Sequence, residues 1–313
     1  MAQSDLVMHA LEPRHLAGGM ALSLAANWNQ VNEDWAYFLR HGEGWGYSAA
    51  NGELVATTMI VPFAGRFDWL SVVLVAPSAR RLGLARRLTD HALAQLSARN
   101  RMVLLDATPA GRELYLQQGF RDVAQLERWV LKVRGAPASS ARSSSPRAPD
   151  PQVRATAVTD PQSHATVVAD PQVRAITAAD WPAILDFDAR IFGARRDTLL
   201  AALRARSSHA ALLIENNGEL GGFLFGRNGR LFTQLGPLIA VTEALACRLL
   251  AQALRDIATR VCIDAPIIHL NLRAWLSEQG FIPSRPFARM IRGPVPLPHD
   301  LAQLFASSGP EFG

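Results

Sequence analysis

The stretch at residues 69–96, WLSVVLVAPSARRLGLARRLTDHALAQL, decides how the rest of the chain is read. Leu70, Val72, Val73, Leu74 and Val75 form an apolar, β-branched run that predicts a strand buried on both faces. Pro77 removes a backbone donor and ends it. From Gly83 onward, Leu84, Arg87, Leu88, His91 and Ala92 recur at helical spacing, which predicts a helix to about Ala98. Between the two lies Arg80-Arg81-Leu82-Gly83-Leu84-Ala85. Gly83 and Ala85 keep side-chain bulk off the turn, so several backbone N–H groups can converge on one spot. The same spot is a helix N-terminus, where the macrodipole favours an anion, and Arg80 and Arg81 add positive charge. In chemical terms this is a cradle for a pyrophosphate.

The spacing Arg80-x-x-Gly83-x-Ala85 after a strand ending Val-Ala-Pro resembles the acyl-CoA signature of the GNAT-type N-acetyltransferase superfamily. The segment LDATPAGRELYLQQGF at residues 105–120 strengthens the match. Ala85 stands where that pattern more commonly has glycine.

Composition bounds the rest. A chain of 313 residues with 49% hydrophobic and 19% charged residues is globular and long enough for two domains. A formal net charge of +5 invites nucleic-acid binding. Yet Lys132 is the only lysine, the arginines are scattered over both halves, and no helix-turn-helix pattern appears, so no nucleic-acid partner is expected. Cys247 and Cys262 lie among apolar neighbours and read as small buried hydrophobes; without nearby histidines they make no zinc site, and no metal is expected. The first residues lack a basic start followed by an apolar core, and no apolar run nears the roughly 20 residues that span a bilayer. The expectation is a cytoplasmic protein with no membrane partner; an oligomer is not indicated.

In chain order, residues 16–40 carry a helical pattern broken in the middle by Asn27, Asn29 and Gln30. Residues 44–49 and 53–61 predict two strands joined by Asn51-Gly52, a strong hairpin signal, and residues 67–75 a third. After the long helix come a short strand (102–105), a helix (110–118) and a final strand (126–133). Residues 135–173 differ sharply. GAPASSARSSSPRAPD is small, polar and proline-rich, and a ten-residue repeat follows, marked by Asp150-Pro151-Gln152, Asp160-Pro161-Gln162 and Asp170-Pro171-Gln172. Such a segment buries too little apolar surface to order itself and reads as an interdomain tether.

The second half repeats the first: a strand (173–176), helices (180–192 and 197–206), a hairpin around Asn216-Asn217-Gly218, another strand (231–239) and a helix (242–260). GLARRLTDHAL at 83–93 aligns with ALACRLLAQAL at 244–254 without a gap. Asp106 and Asp264 each follow a short apolar strand, and Gly119-Phe120 precedes Arg128 as Gly280-Phe281 precedes Arg289. In this alignment Arg80 becomes Val241, Gly83 becomes Ala244, and Tyr115 meets Trp275 or Leu276, so the second copy has lost the charge and the bare glycine. FGARR (192–196), GPLIA (236–240) and RPFARMIRG (285–293) resemble the second domain of two-domain YitH/HolE-like bacterial acetyltransferases, in which an active GNAT domain precedes a degenerate one.

The resemblance implies an α/β (α+β) fold of two tandem GNAT-like domains, each a mixed, mostly antiparallel sheet flanked by helices. Residues 1–134 would be the catalytic N-acetyltransferase domain, 135–172 a flexible linker, and 173–313 a degenerate domain completing the acceptor site. It further implies an acyltransferase that uses acetyl-CoA as co-substrate and transfers the acetyl group directly to a primary amine of a small-molecule or amino-acid-like acceptor. A non-catalytic acyl-CoA-binding or sensing protein is the alternative. Cofactor-binding residues would be Val73, Leu74, Val75, Arg80, Arg81, Leu82, Gly83, Leu84, Ala85 and Arg86. Tyr115 would be the catalytic group that protonates the leaving thiolate. The general base stays open among Asp106, Asp68, Glu33, Asp34 and a water chain. Asp106, retained as Asp264, also reads as a structural cap of the following helix. Asn29, Glu33 and Asp34 read either as acceptor-facing or as a solvated helix face. Arg128 and Arg289, shared by both copies, read as serving the fold.

Overall fold

The computed structural model describes residues 6–64, 66–97, 101–132, 172–207, 210–293 and 296–313. The tether expected at 135–172 lies, except for Gln172, outside the described residues. The first half runs β1 (Val7–Ala10), α1 (Leu16–Ala25), α2 (Asn32–His41), β2 (Glu43–Ser48), β3 (Leu54–Phe63), β4 (Phe67–Val75), α3 (Leu84–Ser97), β5 (Met102–Ala107), α4 (Pro109–Gln117) and β6 (Arg121–Leu131). The second repeats the order with β7 (Val173–Ala175), α5 (Trp181–Phe192), α6 (Asp197–Arg206), β8 (Leu212–Asn216), β9 (Glu219–Asn228), β10 (Thr233–Ala240), α7 (Glu243–Asp256), β11 (Val261–Pro266), α8 (Leu270–Glu278) and β12 (Ile282–Arg292), then adds β13 (Leu304–Ala306).

Alternation along the strands sorts the helices to two sides. Trp69, Phe67 and Leu104 point into a core with Trp35 and Phe38 of α2. Leu70, Ile60 and Leu105 point the other way, against Leu93 and Leu96 of α3 and Tyr115 of α4. The break expected between α1 and α2 is real: Asn27 adopts a left-handed φ of 54°. β6 starts earlier than expected, at Arg121, and β1, a short edge strand paired with β2, escaped the sequence reading.

The described strands form one sheet in the order β1-β2-β3-β4-β5-β12-β6-β11-β10-β9-β8-β7, with β13 against β10. The two halves therefore exchange their last long strands. β12 of the second half pairs with β5 of the first, and β6 of the first pairs with β11 of the second. Each junction places an aspartate beside an arginine of the other half. Asp106 neighbours Arg289, whose Nε and Nη2 donate to its two carboxylate oxygens at 2.8 Å each. Arg128 Nε and Nη2 likewise donate to Asp264 at 2.7 Å each. The duplicated residues thus do serve the fold, as fork-to-fork pairs across the exchange. Asp106 does not cap α4, whose N-cap Thr108 has no side-chain cap.

Beyond Arg289 lies His299, which is buried. Its Nδ1 accepts from Arg289 Nη1 at 2.9 Å, which leaves the proton on Nε2, and its ring stacks on Phe192 at 4.6 Å. Burial and the guanidinium groups of Arg289 and Arg196 hold the imidazole well below its usual pKa. The unfolded chain therefore binds this proton before the folded one does, so stability falls as the pH drops below about 6.5, at up to about 1.4 kcal/mol per pH unit. His299→Asn, which keeps an acceptor for Arg289 but does not titrate, should flatten that slope in urea unfolding measured from pH 7 to pH 5.

Candidate active site

β4 carries the first feature. Thr57 faces Leu74 and Met59 faces Ser71, so one residue of β3 faces two of β4. Val72 takes up the extra length at a φ of 38°, and its carbonyl accepts from Thr57 Oγ1 at 2.9 Å. A bulge of this kind re-aims the backbone that follows it. On its other edge β4 pairs with β5 only from Phe67 to Trp69. From Leu70 to Val75 the two parallel strands diverge, and the β4 backbone at Val73, Leu74 and Val75 lines the opening.

The second feature is the turn into α3. Arg81 and Gly83 both have left-handed backbones, at φ values of 64° and 72°. No protein atom lies within 4 Å of where a Gly83 Cβ would be. The first helical bond is Arg87 N–H to the Gly83 carbonyl; among the described residues nothing accepts from the amides of Leu84, Ala85 and Arg86. Arg80 and Arg81 are exposed and make no ion pair among the described residues. Orphan donors and cations at this turn face open space, an arrangement that suits an anion. It fits the diphosphate of an acyl-CoA. Leu84 contributes only backbone, its side chain being buried, and Arg86 is engaged with the Gln117 side chain on α4.

The second copy shows what a closed version looks like. Thr242 Oγ1 accepts from Leu245 N–H and caps α7, and Glu243 adds a carboxylate to its first turn. The opening equivalent to that between β4 and β5 is filled by β13, which pairs with β10 at Leu238 and Ile239, while Ser307 N–H donates to the Asp264 carbonyl at 3.0 Å.

Tyr115 projects from α4 into the α3 side of the sheet, its ring edge-on to Phe120 at 5.8 Å. Gly111, one turn earlier, leaves it room: a Cβ there would sit 3.2 Å from the ring. Among the described residues its hydroxyl makes no hydrogen bond. Burial pushes the phenol pKa well above its usual value, so the group is a proton donor over the whole neutral range. The second copy has Leu276 at this place, fully buried and without a hydroxyl.

The base candidates are occupied. Asp106 is clamped by Arg289, and burial raises its pKa. Asp68 pairs with Arg101 at 3.0 Å, on the α3 side. Asp34 accepts from Val31 N–H and from both Arg206 and Arg227 of the second half. Asn29, also read as acceptor-facing, is buried; its Oδ1 accepts from Leu231 and Phe232 amides at 2.8 and 3.0 Å. Asp34 and Asn29 therefore clasp the two halves together. Of these candidates only Glu33 is exposed, on α2. Burial raises the Cys262 thiol to about 12, so it offers no thiolate nucleophile.

On the α1 side of β4 the site has two boundaries. A cavity of about 440 Å³ lies between α1 residues such as Gly18, Leu22 and Ala25 and the turn at Ala76, Pro77 and Ser78. Nearer the bulge, residues 307–313 run across β4, where Trp69 Nε1 donates to the Pro310 carbonyl at 2.9 Å and Ser71 Oγ to the Glu311 carbonyl at 3.0 Å. The sequence carried no signal for this segment, since a run of Ser, Gly and Pro reads simply as loop. No helix among the described residues is long and apolar enough to cross a membrane.

Comparison with known proteins agrees with this geometry. The acetyltransferase (GNAT) family matches residues 15–120, and the acetyltransferase (GNAT) domain matches residues 184–306. The chain is 24% identical over 272 residues to the uncharacterised N-acetyltransferase YitH of Bacillus subtilis, covering 87% of this chain and 86% of that one. It is 26% identical over 277 residues to the holothin acyltransferase of a Pseudoalteromonas strain, covering 88% and 83%. Among solved structures, a candidate acetyltransferase from Pyrococcus horikoshii superposes with a TM-score of 0.73 at 16% identity, over 100% of this chain and 98% of that one. A tandem GNAT protein of the clavulanic acid pathway gives 0.61 at 14%, over 93% and 100%. With a GNAT match in each half, together spanning more than half of its length, the chain is an acyltransferase of the GNAT acetyltransferase superfamily, built as a tandem of two such domains.

Proposed function

We propose that this protein is an acetyl-CoA-dependent N-acetyltransferase that acts on a primary amine of a small-molecule or amino-acid-like acceptor. The observation that carries the reading is the asymmetry between the two helix starts: the amides at the head of α3 face open space beside Arg80 and Arg81, whereas at the head of α7 the Thr242 side chain caps the Leu245 amide and no arginine stands beside it. Residues 1–134 would hold the reacting groups, and residues 173–313 would close the acceptor side.

Acetyl-CoA, when bound, supplies the thioester carbonyl that the amine attacks. The amides of Leu84, Ala85 and Arg86 hold the diphosphate with the Arg80 and Arg81 side chains, and the backbone of Val73, Leu74 and Val75 orients the pantetheine arm. The amide of Leu74 or Val75 donates to the carbonyl oxygen as negative charge develops, and such fixed donors are worth about 3 kcal/mol each. Tyr115 gives its proton to the departing sulfur. Among the described residues no buried carboxylate near β4 is free to take the proton of the amine, which supports its loss to water.

The test is thiol release from acetyl-CoA with a panel of amines, amino acids and polyamines. Acceptor-dependent release is expected, and the Arg80→Glu/Arg81→Glu variant should raise KM for acetyl-CoA roughly tenfold or more, since each lost charge-assisted contact costs about 1.5–3 kcal/mol. CoA binding without release would point to a sensor instead, and failure to bind CoA would sink the reading.

A further inference from the structure

The α1 side of β4 is closed at one end and open at the other. Along Trp69 and Ser71 it lies under residues 307–313, where Phe312 is 1% exposed and stacks on Phe38 at 4.8 Å, so no space is left there. Beyond Val75 the chain turns at Ala76, Pro77 and Ser78, and here the cavity of about 440 Å³ opens toward α1. Its room comes from the composition of the helix. Gly18, Ala21, Leu22 and Ala25 recur at helical spacing on the side of α1 that faces it, and only Leu22 has more than a methyl for a side chain. Ala21, Ala25, Glu53 and Ser78 are exposed, so the cavity is reached directly from solvent.

Arg14, His15 and Glu53 supply its titratable groups. Arg14 is neutralised by Glu12 at 3.1 Å. His15 Nδ1 accepts from the Glu12 amide at 2.8 Å, and burial, with the charges of His9 and Arg14, lowers its pKa, so the ring is uncharged at neutral pH. Glu53 sits at the hairpin, where its own amide donates to Asn51 Oδ1 at 3.0 Å. Its carboxylate has no ion pair or hydrogen bond among the described residues. The cavity therefore carries one uncompensated charge, a negative one, in a lining that is otherwise mostly Gly, Ala, Leu and Pro.

We propose that this cavity holds the end of the acceptor remote from the reacting amine, and that Glu53 binds a second ammonium there, which makes the substrate a linear aliphatic diamine; this rests on the acetyl-transfer reading above. Strand register sets the scale. Ala56 pairs with Val75, and Glu53 precedes Ala56 on the same hairpin arm, so roughly 10 Å of strand separates it from the Val75 backbone. An extended aliphatic chain, helped by the reach of the Glu53 side chain, bridges that interval along the apolar walls of Leu54 and Ala76. A concave, apolar surround strengthens the pull of the carboxylate on a cation relative to open surface. An acceptor ending in a carboxylate would instead meet like charge, and one ending in a methyl group would gain only the apolar walls.

The experiment uses three acceptors of similar length that differ at the remote end: 1,6-diaminohexane, hexylamine and 6-aminohexanoate. Thiol release from acetyl-CoA gives kcat/KM for each, and calorimetry on the CoA-loaded full chain gives Kd. The diamine should exceed hexylamine by about tenfold in kcat/KM, and 6-aminohexanoate should rank last. Glu53→Gln should shrink the diamine preference to about the twofold that two equivalent amines give on statistics alone, the loss of about fivefold expected for a partly solvated ion pair. Ala21→Trp, which fills the cavity from an exposed position on α1, should raise KM for the diamine roughly tenfold. Kd for CoA should stay within about twofold of wild type in both variants, which also reports that they are folded. Equal kcat/KM for the three acceptors, a preference for 6-aminohexanoate, or a diamine preference that survives Glu53→Gln would overturn the assignment and leave acetyl transfer standing. So would an unchanged KM in Ala21→Trp. If no acceptor promotes thiol release, the Kd values still decide: diamine binding that weakens in Glu53→Gln would keep the diamine site and overturn only the acetyl-transfer reading, and binding that does not would overturn both.

Discussion

Tyr115→Phe is expected to lower kcat by about two orders of magnitude while leaving Kd for CoA and the fold nearly unchanged. General acids contribute roughly 10²–10⁴-fold, and a thiolate is a stable enough leaving group to place this case at the lower end. The phenol makes no hydrogen bond among the described residues, so the substitution strands no partner, and the ring contact with Phe120 survives. The pH dependence separates this role from simple packing. Burial raises the pKa of the phenol, so wild-type kcat should show no alkaline fall due to Tyr115 below about pH 10. A variant that keeps wild-type kcat would remove Tyr115 from the chemistry.

The larger effect on stability is expected at the strand exchange. Arg289→Ala leaves the Asp106 carboxylate buried, with its side chain 1% exposed, and without its two guanidinium bonds. Breaking a buried pair from one side costs about 3–5 kcal/mol, which for a chain of this size lowers Tm by roughly 10 °C. The double variant Asp106→Leu/Arg289→Met removes both charges at similar volume and should recover most of that loss. Thermal unfolding of Asp106→Leu, Arg289→Met and the double variant forms the cycle, and additive effects would show that the pair is not coupled. The related pair Arg128–Asp264 should behave alike, because its geometry is the same to within 0.1 Å.

The order of elements and the open, left-handed turn at residues 80–85 were legible because they are local. The apolar run of β4, the glycine at 83 and the exposed arginines before it all lie within about fifteen residues of one another. The duplication was legible too, and comparing its copies correctly marked Arg128 and Arg289 as structural. Their partners were not legible, because Asp106 could have met an arginine of either half with no change in sequence. Asn29 and Asp34 looked like site residues for a related reason. A polar side chain at a helix break has the same local signature whether it faces an acceptor or the amides of Leu231 and Phe232. The path of residues 307–313 depends on a vacant slot in the second copy and on Trp69 and Ser71 far upstream, and pairing at such separations leaves no periodic trace.

Exchanged strands also set a timetable for the ribosome. Asp106 and Arg289 are separated by 183 positions. At the usual 5–20 residues per second, β5 and β6 must wait on the order of ten seconds or more after emerging before β12 and β11 exist to pair with them. During that interval the nascent first half carries two open strand edges, a template for wrong partners. The same arrangement makes separation of the halves by gene fission costly, since neither fragment would close its own sheet. Two repeats that each supply a strand to the other are in this way kept whole by their backbone.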